Sequence, residues 1–194
     1  MKIIVAVTGA TGVEMSYYLL QSLRAAKCQT YLIVSRGAAL TWKQEGSRPL
    51  EELFELADHV YAEEEMTAPI ASGSFCTDGM IVMPCSMKTL AGIVTGYGEN
   101  LILRSADVCL KEGRRVVLVP RETPLSRIHL RNMKEAAELG CMLVPPMLTF
   151  YHGAGTVEDQ VWHIVGKVLM PFGIPCEHFH PWEGGKSYEF DCLE

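Results

Sequence analysis

The sequence predicts an α/β fold, a doubly wound parallel sheet in a single domain, and three observations predict it. Apolar runs without alternation, "KIIVAVTG" from Lys2, "GMIVMP" from Gly79 and "RRVVLVP" from Arg114, read as strands buried on both faces. Segments of helical spacing separate them. The 194 residues, 48% of them apolar, suffice for one sizeable core and fall short of two.

In chain order, "KIIVAVTG" is a central strand ending in glycine, and "TGVEMSYYLLQSLRAAK" is a helix with Tyr18, Leu19, Ser22, Leu23 and Ala26 on one side. "QTYLIVS" is a second strand, followed by a helix from Gly37 to Gln44 and a short amphipathic helix, "PLEELFELA", opened by Pro49. "YAEEEMTAPIASGSFCTDG" combines acids, proline, serine and glycine and reads as loop. "GMIVMP" and "RRVVLVP" are the third and fourth strands and "CMLVPP" is a shorter fifth, with helices at 87–95, 100–112, 124–139 and 155–170. From Ile174 the chain loses periodicity. Residues 1–173 therefore form the domain, and 174–194 an irregular tail that frays or packs on a neighbouring subunit.

Composition excludes several classes. Seventeen basic against 23 acidic side chains give a net charge of −6 without a basic tract, which argues against nucleic acid as a partner. No apolar run approaches the roughly 20 residues of a membrane span. Seven cysteines form an odd set without a Cys-x-x-Cys pair, and no leader precedes the first strand, so a reducing cytoplasm is expected.

In an open parallel sheet, ligands bind beyond the carboxyl ends of the strands. Four loops lie there: "TGATG", "SRGA", "PCSMKT" and "PRETP". The first, with Gly9, Ala10, Thr11 and Gly12, is small enough to bring N–H groups to a phosphate, but it lacks the third glycine of a dinucleotide fingerprint and serves equally as a tight turn. Ser35 and Ser86 each follow a strand directly and read singly as helix N-caps; together with Thr89 they converge on one edge as an anion pocket. Cys85 is a nucleophile only if a base or helix N-terminus supports its thiolate, and no histidine is near it in sequence, so a packing role is favoured. Arg104, Asp107 and Lys111 share a helix face, which by spacing alone reads as a solvated, salt-bridged surface. Arg121 and Glu122 follow a buried strand between prolines, a place suited to meeting a ligand, and Tyr151 and His152 follow the fifth strand. Cys176, His178 and His180 lack the further ligand pair of a zinc site.

"TGATG", "SGSFCTDGMIVMPCSMKTLAGI", "RSADVCLKEGRRVVLVPRETPLSRIHLRNM" and "PPMLTFYHG", in this order and spacing, resemble the UbiX-type flavin prenyltransferases over about residues 2–173. The resemblance is strongest to the branch named as a component of phenolic or hydroxyarylic acid decarboxylases. It implies a Rossmann-like flavoprotein fold and a metal-independent transferase that alkylates reduced FMN with dimethylallyl phosphate, giving prenylated FMN for a UbiD-type decarboxylase. It further implies an FMN site of Gly9, Ala10, Thr11, Ser35, Ser86, Met87, Lys88, Thr89 and Arg121. The implied donor site comprises Ser72, Gly73, Arg104, Lys111, Glu122, Tyr151 and Lys167, with Glu45 as the pocket acid and Trp182 as a cap. Glu122 is implied as proton carrier or orienter, and Lys167 stands where the family usually has arginine. The sequence agrees on the absence of metal, having no Asp-rich cluster for magnesium. Relatives are homo-oligomers, commonly dodecamers. Two alternatives are weaker: a cysteine decarboxylase, which would need a histidine that the 30s and 40s lack, and a non-catalytic flavin carrier.

Overall fold

In the computed structural model, which describes residues 1–184, strand and helix alternate from the first residues onward. β1 (Lys2–Val7) leads to α1 (Met15–Ala25), and β2 (Gln29–Val34) to α2 (Arg36–Glu45) and α3 (Leu50–Glu55). β3 (His59–Ala62) is joined by a long loop to β4 (Gly79–Cys85), which is followed by α4 (Met87–Val94) and α5 (Leu101–Lys111). β5 (Arg115–Pro120), α6 (Arg127–Glu138), β6 (Met142–Leu143) and α7 (Val157–Leu169) complete the order. The six strands form one parallel sheet, β3-β2-β1-β4-β5-β6. Its order reverses between β1 and β4, and the crevice of such a sheet lies beyond the strand ends at that point.

Alternate residues of each strand serve two cores. Ile3, Val5 and Val7 meet Leu19, Leu23, Trp42, Val165 and Val168 on one face. Ile4 and Ala6 meet Leu90, Ile102, Ala106 and Ala136 on the other. Burial on both sides explains why the strands read as unbroken apolar runs, and each wholly buried Ile or Leu contributes about 1.5–3 kcal/mol. The split fixes the layers: α1, α3 and α7 cover one face, and α4, α5 and α6 the other.

The sheet has six strands where the sequence predicts five. His59–Ala62, placed in or beside the predicted loop, is an edge strand that pairs only with β2 and is mostly exposed, so it has no apolar run to announce it. The fifth predicted strand shrinks to Met142–Leu143, because Pro145 and Pro146 cannot donate to a ladder. The predicted tail carries no helix or strand through residue 184, and it folds back along its own chain: Ile174 is buried and Phe179 packs on α7 at Gly166. Residues 185–194 of that tail lie outside the described residues. Among the described residues no helix is long and apolar enough to cross a membrane.

Candidate functional site

A cleft of about 780 Å³ opens at the carboxyl edge, lined by Gly9, Ser35, Gly37, Ser86, Lys88 and Thr89 among others. Three helices begin on it, each capped by a side chain, and two of these caps, Ser35 and Ser86, are the ones the sequence suggests. Ser35 accepts from the Ala38 N–H (3.0 Å), Ser86 from the Thr89 N–H (3.3 Å) and Asn100 from the Leu103 N–H (3.0 Å). Capping serves one donor per helix. The N–H groups of Gly37, Met87 and Lys88 have no acceptor among the described residues, so donors and helix dipoles are turned on one space. Thr8 holds two of the loops together, donating to the Pro84 carbonyl (2.9 Å) and accepting from the Ser86 N–H (2.7 Å). Gly9 and Gly37 let the first loop touch the start of α2, since a Cβ on Gly9 would stand 3.0 Å from a Gly37 backbone carbon.

The N–H groups that open α1 face an acid of the same chain. Glu45 accepts from the Thr11 hydroxyl and from the N–H groups of Gly12 (2.6 Å) and Val13 (3.3 Å). Of the first loop, Gly9 lines the cleft, and the N–H groups left without an acceptor among the described residues belong to α2 and α4. Sequence reasoning missed Glu63, just past β3, which accepts from the Arg36 N–H (2.7 Å) and from Asn100 Nδ2 (3.1 Å) and forms one wall. Its place in the acidic run Glu63–Glu65 makes it look like a solvated loop residue.

Met87, Arg121 and Glu122 line a smaller cavity of about 280 Å³ beside Met133, Pro146 and Met147. The Arg121 N–H donates to the Cys85 carbonyl (3.2 Å), and Glu122, exposed, accepts from the N–H of Thr123 (3.0 Å). Cys85 itself is wholly buried, and burial pushes its thiol well above the ordinary cysteine value. It is a packing residue.

The residues expected to handle a phosphate form two further groups, which one chain keeps apart. Tyr151, Lys167 and Trp182 lie on or beside α7, with the Tyr151 and Trp182 rings edge to face at 5.3 Å. Ser72, Gly73 and Lys111 lie at the end of α5 by the amino edge of the sheet: Arg114 donates to the Gly73 carbonyl (2.6 Å), and Lys111 pairs with Glu112 (2.6 Å). Arg104, higher on α5, pairs with Asp107 (2.7 Å) and donates to the Ala71 carbonyl (3.0 Å), as the helix spacing suggests. α5 and α7 cover opposite faces of the sheet. Six-residue strands rising about 3.3 Å per residue also put Lys111 roughly 20 Å from the carboxyl edge. Cys176 and His178 turn to different neighbours, Ser22 and Trp162.

A parallel sheet with three capped helix N-termini around its switch-point cleft defines a protein built to hold a phosphorylated ligand at its carboxyl edge. The Flavoprotein family model matches residues 1–170. A probable UbiX-like flavin prenyltransferase of Sedimentibacter hydroxybenzoicus is 54% identical over 188 residues, covering 96% of this chain and all of the relative. AnUbiX (PadA1), solved in complex with FMN and dimethylallyl pyrophosphate, superposes with a TM-score of 0.93 at 47% identity, over 95% of this chain and 98% of that one. A dodecameric FMN-dependent UbiX-like decarboxylase from Escherichia coli O157:H7 gives a TM-score of 0.92 at 49% identity, over 95% of this chain and 100% of that one. The chain belongs to the flavoproteins and, within them, to the UbiX-like flavin prenyltransferases.

Proposed function

We propose that this protein transfers a dimethylallyl group from dimethylallyl phosphate to N5 and C6 of reduced FMN, making prenylated FMN for a UbiD-type decarboxylase. The observation that carries the reading is the convergence of the α2, α4 and α5 N-termini on one cleft, in a chain 47% identical to a protein solved with FMN and dimethylallyl pyrophosphate. The N–H groups of Gly37, Met87 and Lys88, with the Ser35, Ser86 and Thr89 hydroxyls, hold the flavin phosphate. Met87 and Arg121 flank the ring system.

Reduced FMN supplies the nucleophile, and the chain's own residues prepare the donor. An allylic C–O bond breaks readily if the departing phosphate is stabilised and water is kept from the carbon. Lys111, Lys167, Tyr151 and the Ser72–Gly73 loop stabilise the phosphate, and Trp182 covers the site. Glu122 and Glu45 stand at the carboxyl edge to hold or move the protons released as the C–N and C–C bonds form. Because Lys111 and Lys167 cover opposite faces of one chain, the donor pocket draws on more than one copy, as in a homo-oligomer of the dodecameric kind that the relative forms. An acidic chain with free thiols at Cys28, Cys85, Cys109 and Cys141 suits a reducing cytoplasm.

Anaerobic incubation with reduced FMN and either dimethylallyl monophosphate or diphosphate should raise the flavin mass by one prenyl unit. Unchanged flavin with both donors, where an active relative converts it, would overturn the reading.

A further inference from the structure

Tyr151 is exposed at the rim of α7, and its hydroxyl lies 3.2 Å from Nε2 of His163. His163 is 2% exposed. Its ring stacks on that of His152, with centroids 4.4 Å apart and planes at 13°, and Phe179 packs against it at 5.1 Å. His152 is fixed in turn by Thr149, whose hydroxyl is 3.0 Å from its Nδ1. Two buried ring nitrogens, His152 Nε2 and His163 Nδ1, have no partner among the described residues. Nothing in the sequence singled out His163.

The hydroxyl and the imidazole share one hydrogen bond, and its direction decides what Tyr151 offers to a ligand. Burial, then the nearby His152 and Lys167, push the His163 pKa down, so the ring is neutral and carries a single N–H. If that proton sat on Nδ1, it would be a buried donor without an acceptor, the rarest kind of unsatisfied group, and Tyr151 would spend its own proton on Nε2 and face the ligand with lone pairs. With the proton on Nε2, the orphan is only an acceptor, and the Tyr151 oxygen accepts from His163. The phenolic O–H is then free to donate outward, as an anion requires.

We propose that His163, as the Nε2–H tautomer clamped by the His152 stack, is a positioning residue that aims the Tyr151 proton at the phosphate of the allylic donor. This rests on the prenyltransferase reading above. Lys167, one turn further along α7 at i+4, lies on the same helix face and supplies charge where Tyr151 supplies a directed donor. No bond to His163 forms or breaks during turnover, so its effect belongs in donor binding rather than in flavin binding.

The test is anaerobic steady-state kinetics with reduced FMN and dimethylallyl monophosphate on His163→Phe, His163→Gln, Tyr151→Phe and the His163→Phe/Tyr151→Phe double variant, with FMN affinity measured by flavin fluorescence. Losing a directed donor to a charged group should raise the donor KM about tenfold in His163→Phe and in Tyr151→Phe, with FMN affinity unchanged. His163→Gln, whose amide N–H reaches the place of Nε2, should stay near the wild-type KM, and His163→Phe should add nothing once Tyr151 is Phe. A wild-type KM in His163→Phe, or full additivity in the double variant, overturns the inference. If His163→Phe does not fold, His163→Gln decides alone: a KM as high as that of Tyr151→Phe overturns it. Wild-type protein that binds FMN but makes no prenylated flavin overturns the underlying reading instead, which separates the two failures.

Discussion

Cys85 and Ser86 are adjacent in sequence, yet the end of β4 gives them opposite environments. The Cys85 side chain is enclosed in the core shared by Leu90, Leu118 and Cys141, while the Ser86 hydroxyl caps α4 at the cleft. A thiol is nucleophilic only as thiolate, and enclosure with no cation or base beside it holds Cys85 protonated. Cys85→Ala is therefore expected to keep flavin prenylation while losing about 1–2 kcal/mol of stability to the small cavity it leaves. In native protein near pH 8, iodoacetamide should label exposed Cys76 and leave Cys85 untouched. A folded Cys85→Ala protein that has lost turnover would return the thiol to the chemistry.

At the scale of elements, the architecture was legible wherever burial is two-sided or a cap is a single polar residue. β1, β4 and β5 declared themselves by unbroken apolar runs, and the starts of α2 and α4 by Ser35 and Ser86. β3 stayed hidden because an exposed four-residue edge needs only one partner strand and leaves no pattern. The cleft residues that directly follow strands could be read. Glu63 and His163 could not, one sitting in an acidic run and the other alone in a helix, its partner Tyr151 in the irregular loop that leads into that helix, where no helical spacing relates the two. Gly79 shows how closely the elements are fitted: its φ is +153°, and a Cβ there would lie 2.3 Å from the Arg115 carbonyl oxygen and 2.7 Å from the Phe172 ring. Gly79→Ala must push β4 from β5 at the amino edge, and we expect a loss of about 1–3 kcal/mol in urea unfolding at fixed protomer concentration. A loss within the error of the measurement would mean that the strand ends yield freely.

At the scale of the whole molecule, a single phosphate proposed to meet both Lys111 and Lys167 has to be reconciled with where the fold puts them. Each lysine sits in the last turn of its helix, so by sequence they look alike, and only the topology puts α5 and α7 on opposite faces. If the donor pocket takes Lys111 from one copy and Lys167 from another, Lys111→Ala and Lys167→Ala should each abolish prenylation in a pure oligomer. Mixed oligomers, made by co-expression or by unfolding and refolding together, should then recover activity. A pocket is intact when its Lys111 comes from a Lys167→Ala chain and its Lys167 from a Lys111→Ala chain, which random assembly in a symmetric oligomer delivers at about a quarter of the sites. If both lysines served one pocket from the same chain, every pocket in the mixture would carry one defect and none would turn over. Activity near a quarter of wild type in the mixture, against none in either parent, establishes the shared pocket. An inactive mixture whose oligomers contain both chains by mass would refute it, and with it the assignment of Lys111 to the phosphate.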